Sequence, residues 1–294
     1  MDKYNRFYKL LIEKRNGQTL EVRRPFTVEF DIHRNSLNSA NVGSFRIYNL
    51  NTDNRNEIRK DQYNTGDVRK VVFQCGYGDD LSLAFVGNIN QAWSVREGTN
   101  YITQIESYDG GFAYAYARAN LPVAAGTPNQ SIVETLTSSL SQYGISRGAI
   151  GEVEGQSDNR GMSITGNPIK TINELSNNSF FIDNGKANVL SGDIGNGVGE
   201  AIDTPIPIIN AKSGLLGTPV KESLHVNFDM LFEPGLKVAQ LIKLVSSTEA
   251  RFNQIHKVIS LKHKGVISDS ICGTAVTSVG LLPGSFITRS AGGT

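Results

Sequence analysis

Residues 224–232, LHVNFDMLF, hold the strongest constraint in the chain. Leu224, Val226, Phe228, Met230 and Phe232 occupy every second position, with His225, Asn227, Asp229 and Leu231 between them. A period of two fits a strand with one buried face and does not fit an amphipathic helix. Burying one large apolar side chain is worth about 1.5–3 kcal/mol. A one-residue slip would turn all five to water, so the register is strongly held. The alternation recurs in FTVEFDIH, where Phe26, Val28, Phe30 and Ile32 share a face, and in SFRIYNL, where Phe45 and Ile47 oppose Arg46 and Tyr48.

Further strands follow from FYKLLIEK, TLEVRR, VVFQCGYG, LSLAFVGNINQAWSV and NYITQIESYDG in the first part of the chain. AQLIKLVSS, NQIHKVISLKHKG and ISDSICGTAVTSVGL supply them near the end. Asn16-Gly17 and Asn184-Gly185 suit type I′ hairpin turns because both residues tolerate positive φ. Two helices interrupt the pattern. In TPNQSIVETLTSSLSQYG, Thr127 is the expected cap, Pro128 the first helical residue, Gln130 the partner in a capping box and Gly144 the terminator. Ile132, Val133, Leu136, Leu140 and Tyr143 form its apolar stripe. In NPIKTINELS, Asn167 caps and Ile169, Ile172 and Leu175 turn inward. The predicted fold class is mainly β with a small α+β insertion, over residues 1–112, 113–204 and 205–282, and a frayed tail over 283–294.

Chemistry finds little footing. GNPIKT lacks the glycine that a phosphate loop needs before its lysine, and Ile169 stands there. GDIGNGVGE lacks the strand and helix of a dinucleotide site and reads as a linker. His33, His225, His256 and His263 are dispersed, and His256 and His263, an odd number apart, are expected on opposite faces of a strand. Cys75 and Cys272 each sit in an apolar run, which suits buried free thiols in a reducing compartment. No metal or cofactor is expected. Glu152 and Glu154 in GEVEG are the nearest approach to paired carboxylates and the only basis for a hydrolase reading; a polar strand explains them more simply. The single Trp93 gives little support to a carbohydrate-binding reading. The formal net charge is +1, with both signs mixed throughout, which argues against a dedicated nucleic-acid or membrane binder. The N-terminal MDKYNRFYKLLIEK has no apolar core of signal-peptide length.

One stretch stands out for having structure without chemistry. NSANVGSFRIYNLNTDNRNEI (38–58) runs a strand into an Ile-Tyr-Asn-Leu corner, then into a polar segment with cap-capable Asn51, Thr52 and Asp53. It resembles the N-terminal signature of the baseplate hub proteins of contractile phage tails and related injection machines. VVFQCGYGDDLSLAFVGNINQA is similar to that family's next hairpin, and KTINELSNNSFFIDNGKANVL to its helix-plus-hairpin insertion. SGLLGTPVKESLHVNFDMLFEPGLKVAQLIKL with HKVISLKHKG resembles the second barrel. The residues carrying the resemblance are Ile47, Tyr48, Asn49, Leu50, Gly76, Tyr77, Gly217, Pro219, Pro234 and Gly235. The family often has a glycine just before the LIKL strand; here Ala239-Gln240 precede it, leaving Pro234-Gly235 to turn the chain.

The resemblance implies two tail-tube-like β-barrels in one chain and no enzymatic activity. It implies a homotrimer in which six barrels form a pseudo-sixfold ring joining the tail tube to the central spike, with other baseplate proteins around it and DNA passing through. Tail-tube, spike and cell-wall hydrolase roles are the alternatives. The implied location is the virion baseplate, after assembly in the host cytoplasm. No residue-level repeat is visible between 1–112 and 205–282.

Overall fold

The computed structural model describes residues 4–37, 39–157, 160–191, 198–270 and 273–290, and one 13-stranded sheet dominates it. Its first part comprises β1 (Arg6–Glu13), β2 (Thr19–Arg23), β3 (Val28–Asn35), β4 (Val42–Tyr48), β5 (Lys70–Tyr77), β6 (Asp80–Glu97) and β7 (Asn100–Tyr108). Helix α1 (Thr52–Ile58) lies between β4 and β5. These strands pair antiparallel in the order β3-β4-β7-β6-β5-β1-β2. Val28, Phe30 and Ile32 are buried as their period requires, and they pack with Phe45, Ile47 and Phe73. Phe26 instead lies in the turn ahead of β3 and stays exposed. At Asn16-Gly17 only the glycine has positive φ. Gly17 N donates to Lys14 O and Lys14 N to Gln18 O, so a longer hairpin loop replaces the expected type I′ turn.

The middle of the chain holds α2 (Gly111–Tyr116), β8 (Ala119–Val123), α3 (Asn129–Ser139), β9 (Ser146–Ile150), β10 (Met162–Gly166), α4 (Pro168–Leu175), β11 (Phe180–Asp183), β12 (Lys186–Val189) and β13 (Val198–Ile202). Strand β8 pairs β10, and β11-β12-β9 form a separate small sheet. Asn184 (φ 52°) and Gly185 (φ 71°) make the expected tight turn between β11 and β12. Ile132, Val133, Leu136, Leu140, Ile169 and Ile172 fill the core between helices and sheet. Asn167 caps α4 as expected, its side chain accepting from Ile169 N. The expected capping box of α3 does not form. Thr127 Oγ1 donates to Ala124 O and Gln130 Oε1 accepts from Val153 N, so both side chains bind loops outside the helix. Glu152 and Glu154 lie in irregular chain, not in a strand.

The last part contains β14 (Ile208–Ile209), β15 (Leu215–Glu222), β16 (His225–Leu231), β17 (Leu241–Leu244), β18 (Ile255–Ile267), β19 (Ala275–Pro283) and β20 (Ser285–Arg289). The order β15-β16-β19-β18 continues the main sheet because β18 also pairs β3. Val226, Phe228, Met230 and Phe232 are buried, but Leu224 is 66% exposed because the β15–β16 turn lifts it away. Residues 285–289, expected to fray, form β20, which pairs β13 in parallel. Cys272, most of the expected glycine linker (192–197) and residues 291–294 lie outside the described residues. Among the described residues no helix is long and apolar enough to cross a membrane.

His256 and His263 are both fully buried, against the expectation from parity. The register of β18 shifts between Val258 and Ser260, and the extra residue reverses the alternation. A matching shift occurs in β6 between Ile89 and Gln91. It anchors a repeat of topology. The order β3-β4-β7-β6-β5 recurs as β15-β16-β19-β18-β17. Counting from the two bulges, Ala92–Ile105–Phe45 lie side by side in the first set and Leu261–Val279–Phe228 in the second. Each long strand pairs its outer strand with its first half only, while the inner strand pairs the second half of β6 and nearly all of β18.

Candidate functional site: a polar sheet face, a corner and a buried joint

The strands β16, β19, β18, β3, β4, β7 and β6 turn one face to the core and the other to solvent. On the solvent face opposite charges meet across strands. Asp31 lies 2.8 Å from His33 Nε2 and approaches the ammonium groups of Lys264 at 3.9 Å and Lys262 at 4.0 Å. Arg46 pairs Glu29 at 3.4 Å and Glu97 at 2.9 Å. Tyr48 donates to Glu29, and Ser278 donates to Asp229. Such half-exposed pairs contribute about 0–1 kcal/mol each. Their consequence is a wall that is hydrophilic without a concentrated sign.

The corner ends β4. Asn49 is left-handed at φ 60°, a conformation asparagine tolerates better than most residues. Its N–H donates to Tyr101 O at 2.7 Å and its Oδ1 accepts from Tyr101 N at 3.0 Å, so the side chain prolongs the β4–β7 ladder by one step. Ile47 and Leu50 bury themselves beside Ile58. Asn51 then caps α1, accepting from Asn54 N. At the other end of α1, the buried Arg69 guanidinium donates to Glu57 O, Ile58 O and Arg59 O at 2.8–3.0 Å. Those are among the carbonyls a helix end leaves unpaired. The corner is fully committed to holding strand and helix together.

The deepest charges sit where the three parts of the chain meet. Arg34, 1% exposed, makes two hydrogen bonds to Asp183, at 2.8 Å through Nε and 2.6 Å through Nη2. Its Nη1 donates to Leu236 O at 3.3 Å. Asn41 Nδ2 donates to Ile182 O and Asp183 Oδ1, and Gly185 N donates to Asp109 Oδ1. Burial works against the Arg34 charge, but Asp183 outweighs it and the guanidinium pKa is raised. Asp109 is pushed up to about 7, by burial first and by the Asp183 charge second. Burial and then the Arg34 charge press His263 down to about 3, so it stays neutral against Phe232 and Thr277. A second joint ties β13 and β20 to the irregular chain after β9. Glu200 accepts from Glu152 N, Ser191 N and Arg289 Nε, all within 3.0 Å. The buried Lys257 donates to Ser191 O, and burial lowers its pKa to about 8 against the pull of Glu200.

A family model described as "Baseplate hub gp41" matches residues 10–265. The chain belongs to this family. It is a bacteriophage baseplate hub and tail structural protein. The hub also resembles solved tail proteins in fold. A tail protein from Neisseria meningitidis MC58 is 11% identical, with 95% of this chain and 97% of that one covered at a TM-score of 0.59. The 43 kDa tail protein of prophage MuSo2 from Shewanella oneidensis is 6% identical over 94% and 99%, again at 0.59. The E. coli c3393 protein is described as a component of the type VI secretion system with structural similarity to the T4 tail proteins gp27 and gp5. It is 9% identical over 95% and 78%, also at 0.59. No curated protein sequence matches the hub.

The signature residues fall at three places. Ile47, Tyr48, Asn49 and Leu50 form the corner. Tyr77 reaches the chain just ahead of Pro234 and Gly235, donating to Phe232 O at 2.7 Å, and a Cβ on Gly235 would lie 3.5 Å from Ser82 Oγ. Gly76 has no room for a side chain, since its Cβ would lie 1.9 Å from Asp80 O. Gly217 and Pro219 sit apart, in the irregular centre of β15. Pro234 is buried, yet it is Ala239 that turns left-handed (φ 62°) before β17, at the place where a glycine is common in the family. The hydrolase candidates Glu152 and Glu154 make no pair: Glu152 is exposed and contacts Arg289, while Glu154 contributes its carbonyl to Asn129. Sequence reasoning missed Arg34, Asn41, Asp109 and Asp183. One signal for Arg34 was available, because it continues the inward parity of Val28, Phe30 and Ile32.

Proposed function

We propose that the hub is a homotrimer whose chains each supply two tube-like β-barrels, residues 1–112 and 205–282, with 113–204 inserted between them. Six barrels make a pseudo-sixfold collar that joins the sixfold tail tube to the threefold spike, alongside other baseplate proteins. The observation that carries this reading is the repeated strand order β3-β4-β7-β6-β5 and β15-β16-β19-β18-β17 within one chain. A ring of six from three chains needs such a repeat, and a one-barrel tube subunit does not.

The charge-paired sheet face is the channel wall in this reading. Each cation left free on such a wall would bind a phosphate and slow a DNA chain in transit. Pairing Lys262 and Lys264 with Asp31, and Arg46 with Glu29 and Glu97, reduces that drag. The role is architectural and not enzymatic, and assembly takes place in the host cytoplasm before incorporation into the virion.

Native mass spectrometry of the purified hub, alone and mixed with its tube subunit, tests the reading. The expected result is a three-chain mass, and a monomer under both conditions would overturn it. Replacing the corner with Ile47→Asp and Tyr48→Ala should abolish folding or trimer formation, because Ile47 is fully buried in the first core. A normal trimer from that variant would remove the corner from the argument.

A further inference from the structure

The repeat also dictates a contact that one chain cannot make. Inside the chain, β18 ends its repeat and pairs β3, which begins the other. By the bulge alignment, β6 is the counterpart of β18 and β15 the counterpart of β3. Both have an uncovered edge. Among the described residues, strand β15 has β16 as its only partner strand. Past Ala92, which exchanges both backbone bonds with Lys60, the end of β6 has only β7 beside it among the described residues.

We infer that β6 of one hub chain pairs antiparallel with β15 of a second copy, in the register that β18 and β3 use internally, with Val95 opposite Val220. The inference rests on the trimeric reading and assigns its interface. Counting from the bulges places Val95 at the position of Lys264, and Val220 at the position of Asp31. The internal junction has a charged pair there, 3.9 Å apart. The proposed junction has two valines instead, and Val220 is 54% exposed in the single chain. One step away, Trp93 comes opposite Glu222 where Lys262 meets His33 internally.

The other end of the sheet is built differently. Strand β2 has five residues, its exposed Glu21 and Arg23 lie 3.7 Å apart, and Pro25 follows. Charge and proline are the means by which a sheet edge avoids pairing. Strand β15 is longer, with eight residues, and presents Leu216 and Val220 at its surface; the side chain of its own Pro219 is buried, and its charged Lys221 and Glu222 stand at its end. With β6 and β15 joined between copies, three chains close without a free inner edge.

Cysteines at the two valines test the register, since opposed residues of a non-hydrogen-bonded antiparallel pair have Cα atoms about 4.5 Å apart, within disulfide reach. The hub carrying Val95→Cys and Val220→Cys, oxidised as the assembled protein, should run as covalent dimers and trimers on a non-reducing gel. Each single variant, and Val95→Cys with Leu216→Cys, should give several-fold less. In parallel, Val95→Lys alone should weaken the trimer, and Val220→Asp added to it should restore the mass of three chains by recreating the internal charge pair. A trimer by mass with neither crosslink nor rescue overturns the proposed pairing and leaves the trimer standing. A monomer with and without the tube subunit overturns both.

Discussion

The two repeats reach one topology with different residues. In the first, Gly43 and Gly87 are flat spots against the ring of Phe85, and a Cβ on either would lie 2.7 Å from that ring. Their counterparts in the second repeat are Val226 and His256, both buried, the histidine donating from Nε2 to Phe252 O. One core is filled by an aromatic cluster of Phe30, Phe45, Phe73 and Phe85; in the other, Val226, Met230, Ile242 and Leu244 pack with Phe181, Phe228 and Phe252. What is kept is parity: Phe45 matches Phe228 and Ile47 matches Met230. A repeated sheet can therefore change most of its side chains and retain its fold, because burial asks for apolar volume at alternate positions and not for particular side chains.

The repeats also differ in charge, and removing that difference should have the largest effect. Arg34 has Ser223 as its counterpart in the second repeat, so the buried ion pair belongs to one half only. Arg34→Met would strand Asp183, and a loss of about 3–5 kcal/mol is expected in denaturant unfolding. Arg34→Met with Asp183→Leu should recover much of it.

Next comes Asp109, whose counterpart at the end of β19 is Pro283. Its folded pKa of about 7 lies above the ordinary value of 3.8, so the folded state binds the proton more tightly. That contribution is complete below pH 3.8 and is lost as pH rises through 7, amounting to at most about 4 kcal/mol by linkage. In Asp109→Asn the fall in stability between pH 4 and pH 8 should be smaller, as thermal unfolding across that range would read. An unchanged slope would mean that Asp109 ionises in the folded hub as it does in water.

Making the first core resemble the second should cost less. Gly43→Val adds a side chain against Phe85 and should destabilise by about 1–3 kcal/mol. Gly43→Val with Phe85→Leu, which gives back the volume, should approach the native midpoint. The smallest effect is expected at Ala239→Gly. Relief of the left-handed strain, about 1 kcal/mol, is offset by a lost methyl contact of about 0.8 kcal/mol and by a more flexible unfolded chain. The expected change is under about 0.5 kcal/mol.

Periodicity alone located most strands, helix α4 and the Asn184-Gly185 turn, because each depends on residues within a few positions of one another. It failed where a partner far along the chain decided. Thr127 and Gln130 have the chemistry of a capping box, but Ala124 and Val153 offered other bonds. The tail 285–289 has no pattern of its own and becomes a strand because β13 lies beside it. The corner was legible as a corner, and its bonds to Asn100 and Tyr101 were not.

The amino-acid sequence by itself determined which faces of the strands are buried, since alternation of apolar and polar residues is a local code enforced by water. Tertiary structure decided which strands are neighbours, where the bulges shift that code, and that Arg34, Asp109 and Asp183 meet at one buried joint. Those choices are made by closing long loops, and their free energy is shared among residues more than a hundred positions apart. No short stretch of sequence carries it.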